Sequence, residues 1–205
     1  MARKIRCNYV KGVVICHGKS ELQLVRFATT NLHLNIVTKS RENGKKSIQI
    51  TSLLDVLNSS DFRTLNSFLD NYVVETEGKG KKIKLKNFCL FAIMDTDDCT
   101  EQQRDNYISK DMFLNHWAKE YIIPIYDIPS LETTMKECGI LTQKISSGDK
   151  GEYYTKIFPV NSKPLSDDTK LEVQTLANKV RSCKSTNLET FLDYCLSICT
   201  LQADT

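Results

Sequence analysis

The stretch Leu90-Phe91-Ala92-Ile93-Met94-Asp95-Thr96-Asp97-Asp98 decides how this chain is read. Apolar residues at consecutive positions, without alternation, mark a strand covered on both faces. Such strands belong to parallel sheets sandwiched between helices. In open α/β sheets, ligands sit beyond the carboxyl ends of the strands. Asp95, Asp97 and Asp98 therefore fall at the rim where function concentrates. Side chains two apart in an extended segment point the same way, so Asp95 and Asp97 are expected to face one hard cation. Oxygen ligands of this kind suit Mg²⁺ or Mn²⁺. The plainer alternative is a loop in which Asp97 or Asp98 caps the next helix.

Working outward, the 205 residues suffice for one domain with a real core. Charged residues make up 26% of the chain and the net charge is +3, which permits a nucleic-acid partner without demanding one. No apolar run approaches the roughly 20 residues of a membrane span. The start carries no signal-peptide pattern, so a reducing cytoplasm is the expected compartment. None of the eight cysteines forms a Cys-x-x-Cys pair. Cys195 and Cys199 lie one helical turn apart, but a zinc site needs two more ligands at compatible spacing.

A second unbroken apolar run, Gly12-Val13-Val14-Ile15-Cys16, opens the chain after a short basic start. It meets a turn at His17-Gly18-Lys19-Ser20-Glu21, and Leu22, Leu24, Val25 and Phe27 follow with helical spacing. Ser20 is the expected N-cap. A short strand is expected over residues 34–38, then helices over 47–57 and over 61–72, the second capped by Asp61. Residues 98–109 read as a polar loop and 110–121 as a helix carrying His116 among apolar neighbours. Ile122-Ile123-Pro124-Ile125-Tyr126 reads as an edge strand, because proline cannot donate to a sheet ladder. Residues 142–164 read as irregular, with a strand or ordered loop at Tyr153 to Phe158. Two helices, 167–183 and 187–201, close the chain. Strands alternating with helices point to a doubly wound α/β fold. The division read from the sequence is an α/β domain over residues 1–165, with a helical extension over 166–205 packed on it.

Two constellations could carry chemistry. Gly18-Lys19-Ser20 matches the end of a phosphate-binding loop, but the motif needs a glycine five positions before Gly18, and Gly12 is six before it. The second constellation joins acids that follow different strands: Glu21, then Asp95 and Asp97, then Glu132. In a parallel sheet these ends share one edge, so the carboxylates can converge on a metal. Such an ion activates water and stabilises the leaving oxygen in phosphodiester cleavage. Lys19 and Lys156 are the candidates to neutralise the phosphate.

An apolar strand with Gly18-x-x-Glu21, then an apolar strand with Asp95-x-Asp97, resembles the Toprim domain of topoisomerases, bacterial primases and OLD-type nucleases. Cys16-x-Gly18-Lys19-Ser20-Glu21, Ile128-Pro129-Ser130-Leu131-Glu132, and Tyr153-x-x-Lys156 with the helices ending near Ser185-Thr186-Asn187-Leu188 resemble the RloB-like branch of small defence proteins. The resemblance spans roughly residues 10 to 200. It implies a Toprim-like sheet of about four parallel strands flanked by helices. It implies a nuclease acting on DNA or RNA with Mg²⁺ or Mn²⁺, in a phage-defence setting, with a partner ATPase or other defence protein left open. The implied metal ligands are Glu21, Asp95, Asp97 and Glu132, and the implied catalytic residues are His17, Lys19, Glu21 and Glu132.

One departure stands out. Toprim proteins carry glutamate immediately before the first glycine, and here that position is His17. A neutral imidazole brings no negative charge, which weakens a Mg²⁺ site and favours Mn²⁺. The alternative reading is therefore a non-catalytic module that binds nucleic acid or a partner through the same edge. The basic loops over 39–46 and 79–86 could track a nucleic-acid backbone, although they hold no aromatic residues for base stacking.

Overall fold

The computed structural model describes residues 8–142, 150–161 and 165–203. Most of the basic start and the stretch around Gly148 and Asp149 lie outside the described residues. The chain opens with β1 (Gly12–Cys16), α1 (Lys19–Asn31) and β2 (Ile36–Lys39), followed by short helices α2 (Leu53–Leu57) and α3 (Leu65–Asn71). A hairpin of β3 (Thr76–Glu77) and β4 (Lys84–Leu85) leads into β5 (Cys89–Asp95). Then come α4 (Glu101–Ile108), β6 (Ile122–Asp127), α5 (Leu131–Glu137), α6 (Lys150–Ile157), α7 (Asp167–Arg181) and α8 (Glu189–Ala203).

The main sheet has four strands in the order β2-β1-β5-β6, all parallel, with helices on both faces. It is an α/β fold with a Rossmann-like open sheet, as the two apolar runs demand. Alternate residues of each central strand enter opposite cores. Val14, Cys16, Phe91 and Ile93 pack with α1 and α5–α8, whereas Val13, Ile15, Leu90, Ala92 and Met94 pack with α2–α4 and their loops. Burial on both faces is why β1 is apolar throughout and β5 is apolar at every position before Asp95. Each buried valine, leucine, isoleucine, methionine or phenylalanine among them stabilises the fold by about 1.5–3 kcal/mol.

β6 forms one edge, where Pro124 is tolerated. The segment after α7 covers that edge. Tyr126 N–H donates to Asn187 Oδ1 at 2.9 Å, the Asn187 amide donates to the Pro124 carbonyl at 2.9 Å, and Ile128 N–H donates to the Ser185 carbonyl at 2.8 Å. The closing helices are thereby stitched to the sheet, and Phe191, Leu192 and Cys195 share a core with Val14 and Phe91. Among the described residues no helix is long and apolar enough to cross a membrane.

Several local expectations are corrected. Residues 101–108 form α4 rather than a loop. Thr100 and Gln103 cap it reciprocally, and Tyr107 is its one buried side chain, donating to the Ala92 carbonyl at 2.7 Å. A helix this polar carries almost no apolar stripe to read. Residues 110–121 break into two 3₁₀ turns instead of one helix. His116 is structural there: its Nε2 lies 3.1 Å from the Leu57 carbonyl and its Nδ1 accepts from Ala118 N–H. Asp61 caps nothing; it pairs with Lys39 at 3.0 Å, and Thr64 caps α3. Gly18, not Ser20, is the N-cap of α1. Residues 153–158, read as strand or loop, belong to or adjoin helix α6. Cys138 and Cys183 are joined as a disulfide across a sequence separation of 45, against the expectation of reduced cysteines throughout. Packing of α5 beside the end of α7 brings the two together.

Candidate functional site

The strand order reverses between β1 and β5, and that switch point opens a crevice at the carboxyl edge. A cleft of about 260 Å³ lies there, lined by His17, Lys19, Ser20, Glu21, Asp95 and Glu132, with Gly44, Ser47 and Gly151 at its margins. Each acid arrives by its own element. β1 delivers His17 and the first turn of α1, which holds Glu21. β5 ends at Asp95. The loop after β6 turns into α5, whose first turn holds Glu132.

Glu21 is buried, and its Oε2 accepts the Gly18 N–H at 2.7 Å. It therefore closes the N-terminus of α1, as a first-turn acid does. Its other oxygen is not used in that bond. Burial raises its pKa to about 7, with the charges of Asp127 and Glu132 adding to the rise. Asp95 Oδ1 accepts the Leu131 N–H at 2.9 Å. Burial pushes Asp95 up to about 10, and the charges of Glu21 and Asp127 push the same way. These are carboxyl groups held close enough that they resist sharing negative charge.

The acid that sequence reading missed is Asp127. It sits beside Asp95 in the β5–β6 register and is fully buried. Neither of its oxygens receives a hydrogen bond of full geometry among the described residues. Burial raises its pKa to about 6, while the nearby hydroxyls of Thr134 and Thr186 temper the rise. Its signal was present in the sequence, since it ends an apolar strand as Asp95 does.

Asp97 does not join this cluster. The backbone N–H of Thr96 bonds the Asp127 and Pro129 carbonyls, which ends β5 at Asp95 and turns the chain away. The same-side rule for i and i+2 holds only while the chain stays extended. Asp97 consequently lies exposed, outside the cleft, in place of the shared cation contact expected for it. Asp98 is nearer to His17, whose charge opposes the rise that burial causes in the Asp98 pKa. His17 Nδ1 and Asp98 Oδ1 are both buried without a hydrogen bond.

Of the two lysines, only Lys19 reaches the cleft. It packs against Gly151 at the start of α6, where any Cβ would collide with its ammonium. Lys156 points elsewhere: it pairs with Glu152 at 2.8 Å and lines a separate groove beside α7. The basic loops also part company. Gly44, held at φ +81 against the Lys19 backbone, brings the loop over 41–46 to the rim of the cleft. A side chain at Gly44 would meet Lys19 Cα at 2.8 Å. The second loop belongs to the β3–β4 hairpin by the amino ends of β5 and β6, with Leu85 N–H bonded to the Tyr121 hydroxyl. It is remote from the cleft.

Among the described residues no three His, Cys, Asp or Glu side chains are already arranged to hold a metal ion. The donor set nonetheless fits one by type. Glu21, Asp95, Asp127 and Glu132 are hard oxygen donors, and a divalent cation would favour the charged forms that burial, and secondarily repulsion, now disfavour in three of them.

No family model, curated protein or solved structure matches the chain. Fold and site therefore define it by class alone: a parallel α/β open sheet with an acidic cleft at its switch point.

Proposed function

We propose that this chain is a Toprim-like, divalent-metal-dependent nuclease that cleaves phosphodiester bonds of DNA or RNA at the cleft between β1 and β5. One observation carries the reading. Glu21, Asp95 and Asp127 are buried together with their pKa values raised, beside Glu132, at the edge of a parallel sheet where ligands bind. Burying several carboxylates together is costly unless a cation or a shared proton relieves it.

A bound Mg²⁺ or Mn²⁺ would supply charge neutralisation at the phosphate and an activated water. Asp95 and Glu21 would hold the ion through the oxygens that their backbone bonds leave over, with Asp127 beneath them. Glu132, at the mouth, is placed to orient the attacking water or accept its proton. Lys19 sits where a phosphodiester would enter, and Arg41, Lys45 and Lys46 surround Gly44 in the rim loop. His17 lines the same cleft with an unbonded Nδ1, in the position that carries glutamate in Toprim proteins. The second reading, a module that binds without cutting, draws support from the backbone bonds that already occupy Glu21 and Asp95.

Cleavage of labelled DNA and structured RNA across a metal series tests the proposal, with wild type, Asp95→Asn and His17→Glu side by side. The nuclease reading expects cleavage that requires a divalent ion, is stronger with Mn²⁺ than with Mg²⁺, and is lost in Asp95→Asn. No cleavage by wild type or His17→Glu on any of these substrates would favour the binding module.

A further inference from the structure

The β3–β4 hairpin carries charge that the cleft does not use. Residues 75–86 hold five lysines against two glutamates, an excess equal to the net charge of +3 on the whole chain. The remainder of the chain is neutral on balance, so its basic character is concentrated in this one element. The hairpin's acids are engaged. Glu75 lies between Lys11 at 3.5 Å and Lys86 at 3.3 Å and accepts from the Asn87 amide, while Glu77 stands opposite Lys84 in the strand register. Lys79 and Lys82, at the tip, are exposed and form no ion pair among the described residues. The tip has a defined shape. Lys82 N–H donates to the Lys79 carbonyl at 3.2 Å, and Lys86 N–H donates to the Glu75 carbonyl at 2.8 Å. Gly78 sits at φ +86, and any Cβ there would collide with the Lys82 carbonyl, so the turn requires glycine.

We propose that this hairpin is a second nucleic-acid contact, at the opposite end of the sheet from the cleft, where Lys79 and Lys82 hold backbone phosphates without reading bases. The inference rests on the nuclease reading and adds to it a substrate long enough to touch both ends. β5 runs seven residues from the hairpin end of the sheet to Asp95, so at about 3.3 Å per residue the two sites stand roughly 20 Å apart. One strand of a duplex advances about 3.4 Å per phosphate, so about six phosphates separate contacts at the two sites. Two sites on one polymer reinforce each other through effective concentration. Between residues 75 and 86 no aromatic or large apolar side chain is exposed among the described residues. The hairpin therefore offers nothing to stack on a base or to enter a lipid surface. What it recognises is the polyanionic backbone itself, of DNA or of RNA.

The test replaces Lys79 and Lys82 together by glutamine on the full chain. The control, Lys179→Gln with Lys184→Gln, removes the same charge from two exposed lysines at and beyond the end of α7. Fluorescence anisotropy in EDTA measures binding to labelled duplex DNA and duplex RNA of about 30 base pairs over a salt series, long enough to span both sites. The proposal expects the hairpin variant to bind several-fold more weakly and to lose about two from the magnitude of the salt slope, close to one per phosphate contact. The control and the charge-keeping pair Lys79→Arg with Lys82→Arg should bind as wild type does. DNA and RNA tested side by side show which backbone the hairpin holds. Wild-type affinity and slope in the hairpin variant, equal losses in the control, or weak binding by the arginine pair would each overturn the inference and leave the nuclease reading untouched. So would binding to phosphatidylserine vesicles that needs Lys79 and Lys82 while nucleic-acid binding does not. Hairpin-dependent binding by a chain that cleaves neither duplex in Mn²⁺ or Mg²⁺ would overturn the nuclease reading and keep the hairpin contact. A wild type that binds neither duplex would overturn both.

Discussion

Asp95 Oδ1 accepts the backbone N–H of Leu131 at 2.9 Å, tying the end of β5 to the first turn of the helix that carries Glu132. The carboxylate thus has two jobs, an anchor through one oxygen and a candidate ligand through the other. Asparagine keeps the anchor and loses the charge. Asp95→Asn should fold and lose divalent-ion binding, whereas Asp95→Ala strands a buried N–H and should be less stable than Asp95→Asn by about 1–3 kcal/mol. Urea unfolding of the two variants at one pH measures the difference. Equal stabilities would show that the Leu131 bond contributes nothing.

The raised acids set the pH dependence of the metal-free protein. Asp127, Glu21 and Asp95 have folded pKa values of about 6, 7 and 10, against ordinary values of 3.8, 4.5 and 3.8. Between those limits the folded state binds more protons than the unfolded one, so stability falls as pH rises. The favourable contribution is complete below about pH 4 and is lost progressively as pH passes 6, 7 and then 10. Unfolding in EDTA should therefore show lower stability at pH 8.5 than at pH 5.5, and Asp95→Asn, which removes the acid that titrates highest, should flatten the slope. Saturating Mn²⁺ should raise stability most at the higher pH. A metal-free profile that rises with pH over that range would contradict the electrostatics described.

His17 lines the cleft and lies near Asp98. A glutamate there would add a carboxylate ligand and also a like charge facing Asp98. His17→Glu should therefore be less stable than wild type in EDTA and should gain Mg²⁺-dependent cleavage relative to Mn²⁺. The ratio of rates in the two metals is the readout. An unchanged ratio would place His17 outside the working site.

Asp97 is exposed and outside the cleft. Asp97→Asn should leave Mn²⁺ affinity and cleavage within about two-fold of wild type, as for a surface substitution of at most ~0.5 kcal/mol. A loss as severe as that in Asp95→Asn would restore the paired-aspartate arrangement expected from the sequence.

The sheet was legible because β1, and β5 up to Asp95, are apolar at consecutive positions, the pattern that burial on both faces produces. Glu21, Asp95 and Glu132 were legible from the same logic, each acid following a strand. What escaped reading depended on contacts distant in sequence. Thr96 bonds to residues 127 and 129, and those bonds take Asp97 out of register with Asp95. Asp127 gains its importance from standing beside Asp95 across two strands. α6 folds over α1 in a region whose spacing suggested no helix. α4 was missed because capping and one buried tyrosine hold it, not an apolar stripe.

The most direct test is where a cation goes. Crystals soaked in Mn²⁺ and recorded near the manganese absorption edge would show the ion by anomalous scattering. The account predicts a peak in the cleft, bounded by Glu21, Asp95 and Glu132, and absent in Asp95→Asn. A peak at Asp97 instead, or well-ordered carboxylates in the cleft with no peak among them, would contradict it.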